Sequence, residues 1–159
     1  MSIHEGDQLP NTTLRIMRDG RLAKASVHDL VRGKKVVIFA VPGAFTPTCS
    51  EQHLPGFVRQ AEAIKAKGVD EIVCVAVNDV FVMDAWGREQ DADEIVMASD
   101  GNGEFTQAIG LVLDGSSFGL GSRSERYAMI VEDGTVTKLA VEGPGKFEVS
   151  NAESILDAL

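Results

Sequence analysis

The residues best suited to chemistry stand in one short run, Val41-Pro42-Gly43-Ala44-Phe45-Thr46-Pro47-Thr48-Cys49-Ser50. Cys49 is the candidate nucleophile, because a thiolate attacks soft electrophiles and can be oxidised reversibly. A free thiol, with a pKa near 8.5, is only about 3% ionised at neutral pH. Lowering that pKa to about 6 raises the ionised fraction about thirtyfold, but falling nucleophilicity takes back about tenfold. Ionisation alone therefore yields a few-fold gain. An efficient site must also orient the electrophile and stabilise charge on the leaving atom.

The neighbours of Cys49 have side chains for that task. Thr46 lies three residues earlier, and its hydroxyl can donate a hydrogen bond to a thiolate or an oxygen and accept one in exchange. Pro42 has no N–H, so it contributes shape and shields the sulfur from water. If Cys49 opens a helix, the backbone N–H groups of Thr48 and Cys49 are unpaired and can hold an anionic oxygen. Gly43 and Thr48 are the candidate substrate-binding positions. His53, four residues beyond Cys49, falls on the same helical face and could add positive charge. Further along, Arg126 opens an apolar run, Arg126-Tyr127-Ala128-Met129-Ile130-Val131. A cation in that setting needs an anionic partner, and a thiolate is one; Arg123 competes with it on position alone.

The other cysteine, Cys74, lies in the apolar run Glu71-Ile72-Val73-Cys74-Val75-Ala76-Val77 and reads as a small core residue. With that strand ending at Asn78, Cys74 sits roughly 13 Å below the sheet edge, beyond the roughly 7 Å Cα separation a disulfide allows. Cys49 and Cys74 form neither a CxxC redox pair nor a secreted disulfide framework.

The elements that must position these groups follow from local signals. Asp19-Gly20 and Asp133-Gly134 suit type I′ turns, giving hairpins over residues 12–26 and 126–141. Ser26 caps a short helix through Val31, with Asp29 at its third position and Gly33 past its end, and His28 is a surface residue on it. Lys35 to Val41 and Glu71 to Val77 are apolar on both faces and read as strands of a covered sheet. The spacing predicts a helix from about Thr48 to Lys67, kinked at Pro55. Asn78-Asp79 caps a helix through Glu89, Ile95 to Ala98 is a short strand, residues 100–110 are a loop and short helix, and residues 114–122 are a flexible loop. Ser150 and Glu153 match a capping box for the last helix. These alternating elements make an α/β sheet of mixed direction with helices on both faces.

The 159 residues suit one domain, residues 1–159, with 44% hydrophobic and 25% charged content. A net charge of −9 argues against nucleic acid, which needs clustered Lys and Arg. No apolar stretch nears the roughly 20 residues of a membrane span. The polar N-terminus lacks a signal core, so a cytoplasmic location is expected, with a mature organellar form as the other option. Three scattered histidines and no Cys/His cluster leave no metal site, and no cofactor is implied.

The pattern P-x-x-x-T-x-x-C formed by Pro42, Thr46 and Cys49 resembles the active-site signature of peroxiredoxins. The wider text VPGAFTPTCSEQHLPGF is similar to their type II (fifth-class) branch. Two more blocks agree in order and spacing: Val77-Asn78-Asp79-Val80-Phe81-Val82 with Trp86-Gly87-Arg88, and Ser124-Glu125-Arg126-Tyr127-Ala128-Met129-Ile130. The resemblance implies a thioredoxin-like fold with an N-terminal hairpin extension. It also implies a thiol peroxidase that forms a sulfenic acid on Cys49 from hydrogen peroxide or organic hydroperoxides, and a homodimer. It selects Arg126 over Arg123. Some members of the family carry a resolving cysteine near the C-terminus, whereas Gly143 to Ser150 has none here. A one-cysteine enzyme is therefore expected, regenerated by an external thiol such as glutathione, glutaredoxin or thioredoxin. A thiol–disulfide oxidoreductase, disfavoured by the missing CxxC, and a redox sensor or chaperone switched at Cys49 are the alternatives.

Overall fold

The computed structural model describes residues 2–159. The chain opens with a hairpin, β1 (Thr13–Arg18) and β2 (Arg21–Ser26), across Asp19 and Gly20, both at positive φ as a type I′ turn demands. Helix α1 (Val27–Val31) starts on Ser26, whose hydroxyl accepts the Asp29 N–H. Strand β3 (Lys35–Ala40) leads into the Cys49 turn, a π-helical segment Cys49–His53 and helix α2 (Leu54–Ala66). Strand β4 (Glu71–Ala76), helix α3 (Val80–Glu89), strand β5 (Val96–Ser99) and helix α4 (Glu104–Ile109) follow. A small ribbon, β6 (Val112–Asp114) and β7 (Ser122–Ser124), precedes the hairpin β8 (Tyr127–Glu132) and β9 (Thr135–Val141) and the last helix α5 (Ala152–Ala158).

Seven strands form one sheet in the order β2-β1-β5-β4-β3-β8-β9, with β3, β4 and β5 parallel and the outer pairs antiparallel. Side-chain alternation divides the apolar residues between its faces. Val37 and Phe39 of β3, with Ile72, Cys74 and Ala76 of β4, pack under α2, α3 and α5 through Leu54, Phe57, Met83, Trp86 and Ile155. Val36, Ile38, Val73 and Val75 face the other way, onto β1, α1 and α4 through Leu14, Ile16, Val31, Phe105 and Ile109. Burial on both faces explains why these central strands read as continuous apolar runs. Cys49 belongs to the first face, at the ends of the two central parallel strands.

Several expectations are corrected. The helix expected from Thr48 to Lys67 is not one kinked α-helix, because a π turn precedes it and Pro55 lies in the first turn of α2. The fixed φ of proline suits a first helical turn, and the one hydrogen bond it forgoes is to the π turn before it. The segment expected as a flexible loop at residues 114–122 contains a 3₁₀ turn, Ser116–Phe118, and the end and start of the β6/β7 ribbon. The last helix is capped by Asn151, whose side chain accepts the Ser154 N–H, and not by a Ser150–Glu153 box; Ser150 is buried and bonded elsewhere. Strand β4 ends at Ala76, so Cys74 lies two residues inside its end and nearer the sheet edge than expected.

Candidate active site

Between β3 and the π-helical segment the chain makes a tight turn that is fastened at three points. Asn78 Oδ1 accepts the Ala44 N–H at 2.9 Å, the Gly43 carbonyl accepts the Thr46 hydroxyl at 2.7 Å, and the Ser50 N–H reaches the Thr46 carbonyl at 2.9 Å. Phe45 takes a positive φ of 65°, an uncommon state for a bulky residue that its surroundings must hold. Gly43 is closely approached: a Cβ there would lie 3.2 Å from Thr46 Cγ2 and 3.3 Å from Arg123 Nη1, so both side chains would have to give way. The helical path begins at Pro47, which has no N–H, so the N–H groups of Thr48 and Cys49 belong to a first turn without intrahelical acceptors.

Cys49 is fully buried at this helix start. Arg126, which stands just before β8 and not inside it as expected, aims one amino group at the sulfur, with Nη2 to Sγ at 3.2 Å. Its other amino group lies 3.0 Å from His53 Nδ1. The imidazole Nε2 lies 2.9 Å from the Ser150 carbonyl, which can only accept. His53 therefore carries its proton on Nε2 and receives Arg126 on Nδ1. The ring packs between Phe39, Phe57 and Phe147. Burial, and then the adjacent Arg126 charge, lower the His53 pKa from 6.5 to about 3 against the opposing pull of the Ser150 carbonyl and Glu142. The expectation that His53 adds positive charge near the sulfur is thus corrected: it is neutral and grips the cation that does.

Thr46 is corrected in a similar way. Its proton is committed to the Gly43 carbonyl, so toward a ligand its oxygen is an acceptor and not a donor to the sulfur. Arg123 donates from Nε to the Leu120 carbonyl and lies over Gly43, away from the place Arg126 occupies at Cys49. Cys49 and Cys74 are both free thiols in one apolar cluster. Burial first, and then the charge of Cys49, push the Cys74 thiol well above its usual range, with Arg126 opposing.

Sequence reading passed over three groups. The sequence suggests Asn78 as part of a helix cap, whereas Asp79 is the cap and Asn78 holds the Cys49 turn. Ser50 receives Trp86 Nε1 on its hydroxyl at 2.9 Å and Gln90 Nε2 on its carbonyl at 3.2 Å. The Ser150 carbonyl, which sets the imidazole tautomer, carries no side-chain signal at all.

A sheet of this order with a single buried cysteine at a helix start, facing an arginine and lacking a CxxC partner, defines a thioredoxin-like thiol enzyme. The redoxin family model matches residues 4–156. The chain is 51% identical over 156 residues to Peroxiredoxin-2B of Arabidopsis thaliana, covering 97% of this chain and 96% of that one. Reduced Prx3 from Vibrio vulnificus, solved in complex with hydrogen peroxide, superposes with a TM-score of 0.95 at 56% identity, covering 98% of each chain. The antioxidant protein of Plasmodium falciparum, a 1-Cys peroxiredoxin, superposes with a TM-score of 0.91 at 30% identity over 98% of each chain. The chain belongs to the redoxin family and within it to the peroxiredoxins, the thiol-dependent peroxidases.

Proposed function

We propose that Cys49 is the peroxide-reducing residue of a one-cysteine enzyme regenerated by an external thiol, glutathione or glutaredoxin in the first instance and thioredoxin otherwise. The observation that carries this reading is the 3.2 Å contact from Arg126 Nη2 to Cys49 Sγ at the start of a helix. The thiolate bonds to one peroxide oxygen and the O–O bond breaks. The bonding pair leaves with the other oxygen, which gains a proton and departs as water or alcohol. The sulfur, oxidised by two electrons, becomes a sulfenic acid. Thr46 Oγ1 accepts from the attacked O–H, while Arg126 and the N–H groups of Thr48 and Cys49 stabilise the charge on the leaving oxygen. Pro42 and Gly43 shape the turn. One external thiol then forms a mixed disulfide with Cys49 and releases water, and a second restores the thiol.

Two observations support the one-cysteine reading. Cys74 sits in a central strand, paired to Phe39 on one side and Met97 on the other, and cannot move without breaking the sheet. Its raised pKa keeps it a thiol, a poor nucleophile toward the sulfenic acid. A homodimer is supported by the exposed aromatics Phe45, Phe81 and Phe118. The two free cysteines and the need for a thiol reductant fit a reducing compartment, the cytoplasm.

Peroxide consumption coupled to glutathione and glutaredoxin, and separately to thioredoxin and its reductase, tests the assignment. Wild type should turn over with at least one system and Cys49→Ser with neither. Turnover by Cys49→Ser would sink the assignment, and loss of turnover in Cys74→Ser alone would sink the one-cysteine form of it.

A further inference from the structure

Arg126 is gripped at both ends, and both grips lead to one residue outside the sequence motif. Glu142 follows β9 and is 8% exposed. Its N–H donates to the Arg126 carbonyl at 2.9 Å, which fixes the backbone from which the guanidinium extends. Its carboxylate gathers the loop after β9. Oε2 accepts the N–H groups of Val149 and Ser150 at 2.8 and 2.7 Å and the Ser150 hydroxyl at 2.7 Å, and the Glu148 N–H lies 2.9 Å from both oxygens. Ser150, fully buried, then offers its carbonyl to His53 Nε2, and His53 Nδ1 receives Arg126 Nη1.

We propose that Glu142 is a positioning residue for the peroxidase reaction, closing a ring of hydrogen bonds through Ser150 and His53 that aims the Arg126 guanidinium at Cys49. The ring has a fixed polarity. Every donor on the carboxylate is an N–H or O–H of the loop, so the anionic acceptor form is the one that closes it. Those hydrogen bonds outweigh the cost of burial and hold the Glu142 carboxyl below its usual range. The loop that Glu142 folds also places Phe147 beside the imidazole, with ring centroids 5.0 Å apart, and beneath the guanidinium, with Arg126 Cζ 5.8 Å from its centroid. Arg126 forms no ion pair with a carboxylate among the described residues. Its direction is therefore set by neutral partners, and Cys49 Sγ is the atom toward which its charge is turned. An imidazole flipped to the Nδ1–H tautomer would present a donor to a donor and push the guanidinium away. Glu142 prevents that flip at one remove, as outer partners of an orienting histidine do elsewhere.

The inference rests on Arg126 acting at Cys49, and the test separates the two. The His53 tautomer is read from ¹⁵N imidazole resonances of the wild type and Glu142→Gln, and the rate of Cys49 oxidation by hydrogen peroxide is measured in both. Gln keeps the size but turns an amino group on the loop donors. The expected result is a pure Nε2–H tautomer in wild type, mixed tautomers in Glu142→Gln, and an oxidation rate lower on the order of tenfold. An unchanged tautomer in Glu142→Gln, with or without a lower rate, overturns the proposal. Should Glu142→Gln not fold, Glu142→Asp, which keeps the charge but shortens its reach to the loop donors, takes its place, a mixed tautomer upholding the proposal and an unchanged one overturning it. A wild type that does not react with peroxide refutes the catalytic reading, while the tautomer still decides the ring.

Discussion

At the scale of single residues, the site depends on keeping one cation charged and its neighbour neutral. Arg126 lies against both Cys49 and His53, and two cations side by side in a buried pocket would repel. His53 avoids this by remaining neutral down to about pH 3, whereas an unfolded histidine takes up a proton near 6.5. The unfolded state thus binds the extra proton between those values. The contribution of His53 to stability is constant above about pH 6.5, falls as pH drops from there toward 3, and falls no further below. The slope is about 1.4 kcal/mol per pH unit. Urea unfolding of wild type and His53→Gln at pH 7 and pH 5 should show wild type losing about 2 kcal/mol more than the variant. Parallel behaviour of the two proteins would mean that His53 titrates normally and that its contact with Arg126 is not as described.

At the scale of elements, the reactive turn is held by a neighbouring helix. A proline at position 55 cannot donate to a carbonyl of the preceding turn, and in π-helical spacing the carbonyl left without a partner is that of Ser50. Gln90 Nε2 fills the vacancy, and Trp86, one turn earlier on the same face of α3, ties the Ser50 hydroxyl. Gln90→Leu should destabilise the protein by about 1 kcal/mol and speed hydrogen exchange at Cys49 to His53 more than elsewhere. Uniform exchange across the chain would show that Gln90 has no special hold on the turn. This is also where sequence reading stops. The hairpins were legible because Asp-Gly states its own turn geometry, and the central strands because burial on both faces leaves no polar alternation. Cys49, Thr46 and Pro42 were legible because they share one short run; a cation before an apolar strand needs a partner, but position alone left Arg126 and Arg123 competing, and only the family block singled out Arg126. The π turn was not, since its stabilising partners lie some 40 residues away on α3. Ser150 and Glu142 were hidden because they act through backbone N–H and C=O groups, which every sequence contains. The neutral state of His53 was hidden because burial, not residue type, decides it.

At the scale of the whole molecule, exposed apolar surface and the two cysteines set the remaining behaviour. Phe118 is 83% exposed and Phe81 63%, with Phe45 beside the Cys49 turn also in solvent. An aromatic surface of this kind fits the proposed homodimer, in which the rim of the site would lie close to the second copy. Sedimentation velocity should give twice the mass of one chain for the wild type, with Phe81→Asp and Phe118→Asp together shifting it to the monomer; a monomeric wild type at micromolar concentration contradicts the dimer. Both cysteines lie within one core, and in a one-cysteine mechanism oxidation falls on Cys49 alone. The most direct measurement is intact mass after one equivalent of hydrogen peroxide, with a sulfenic-acid trap present, for wild type and Cys74→Ser. A single trapped adduct, mapped to Cys49, is expected in both proteins. A loss of about two daltons in wild type that disappears in Cys74→Ser would show a Cys49–Cys74 disulfide and contradict the one-cysteine mechanism, and an unmodified Cys49 in both proteins would contradict the site itself.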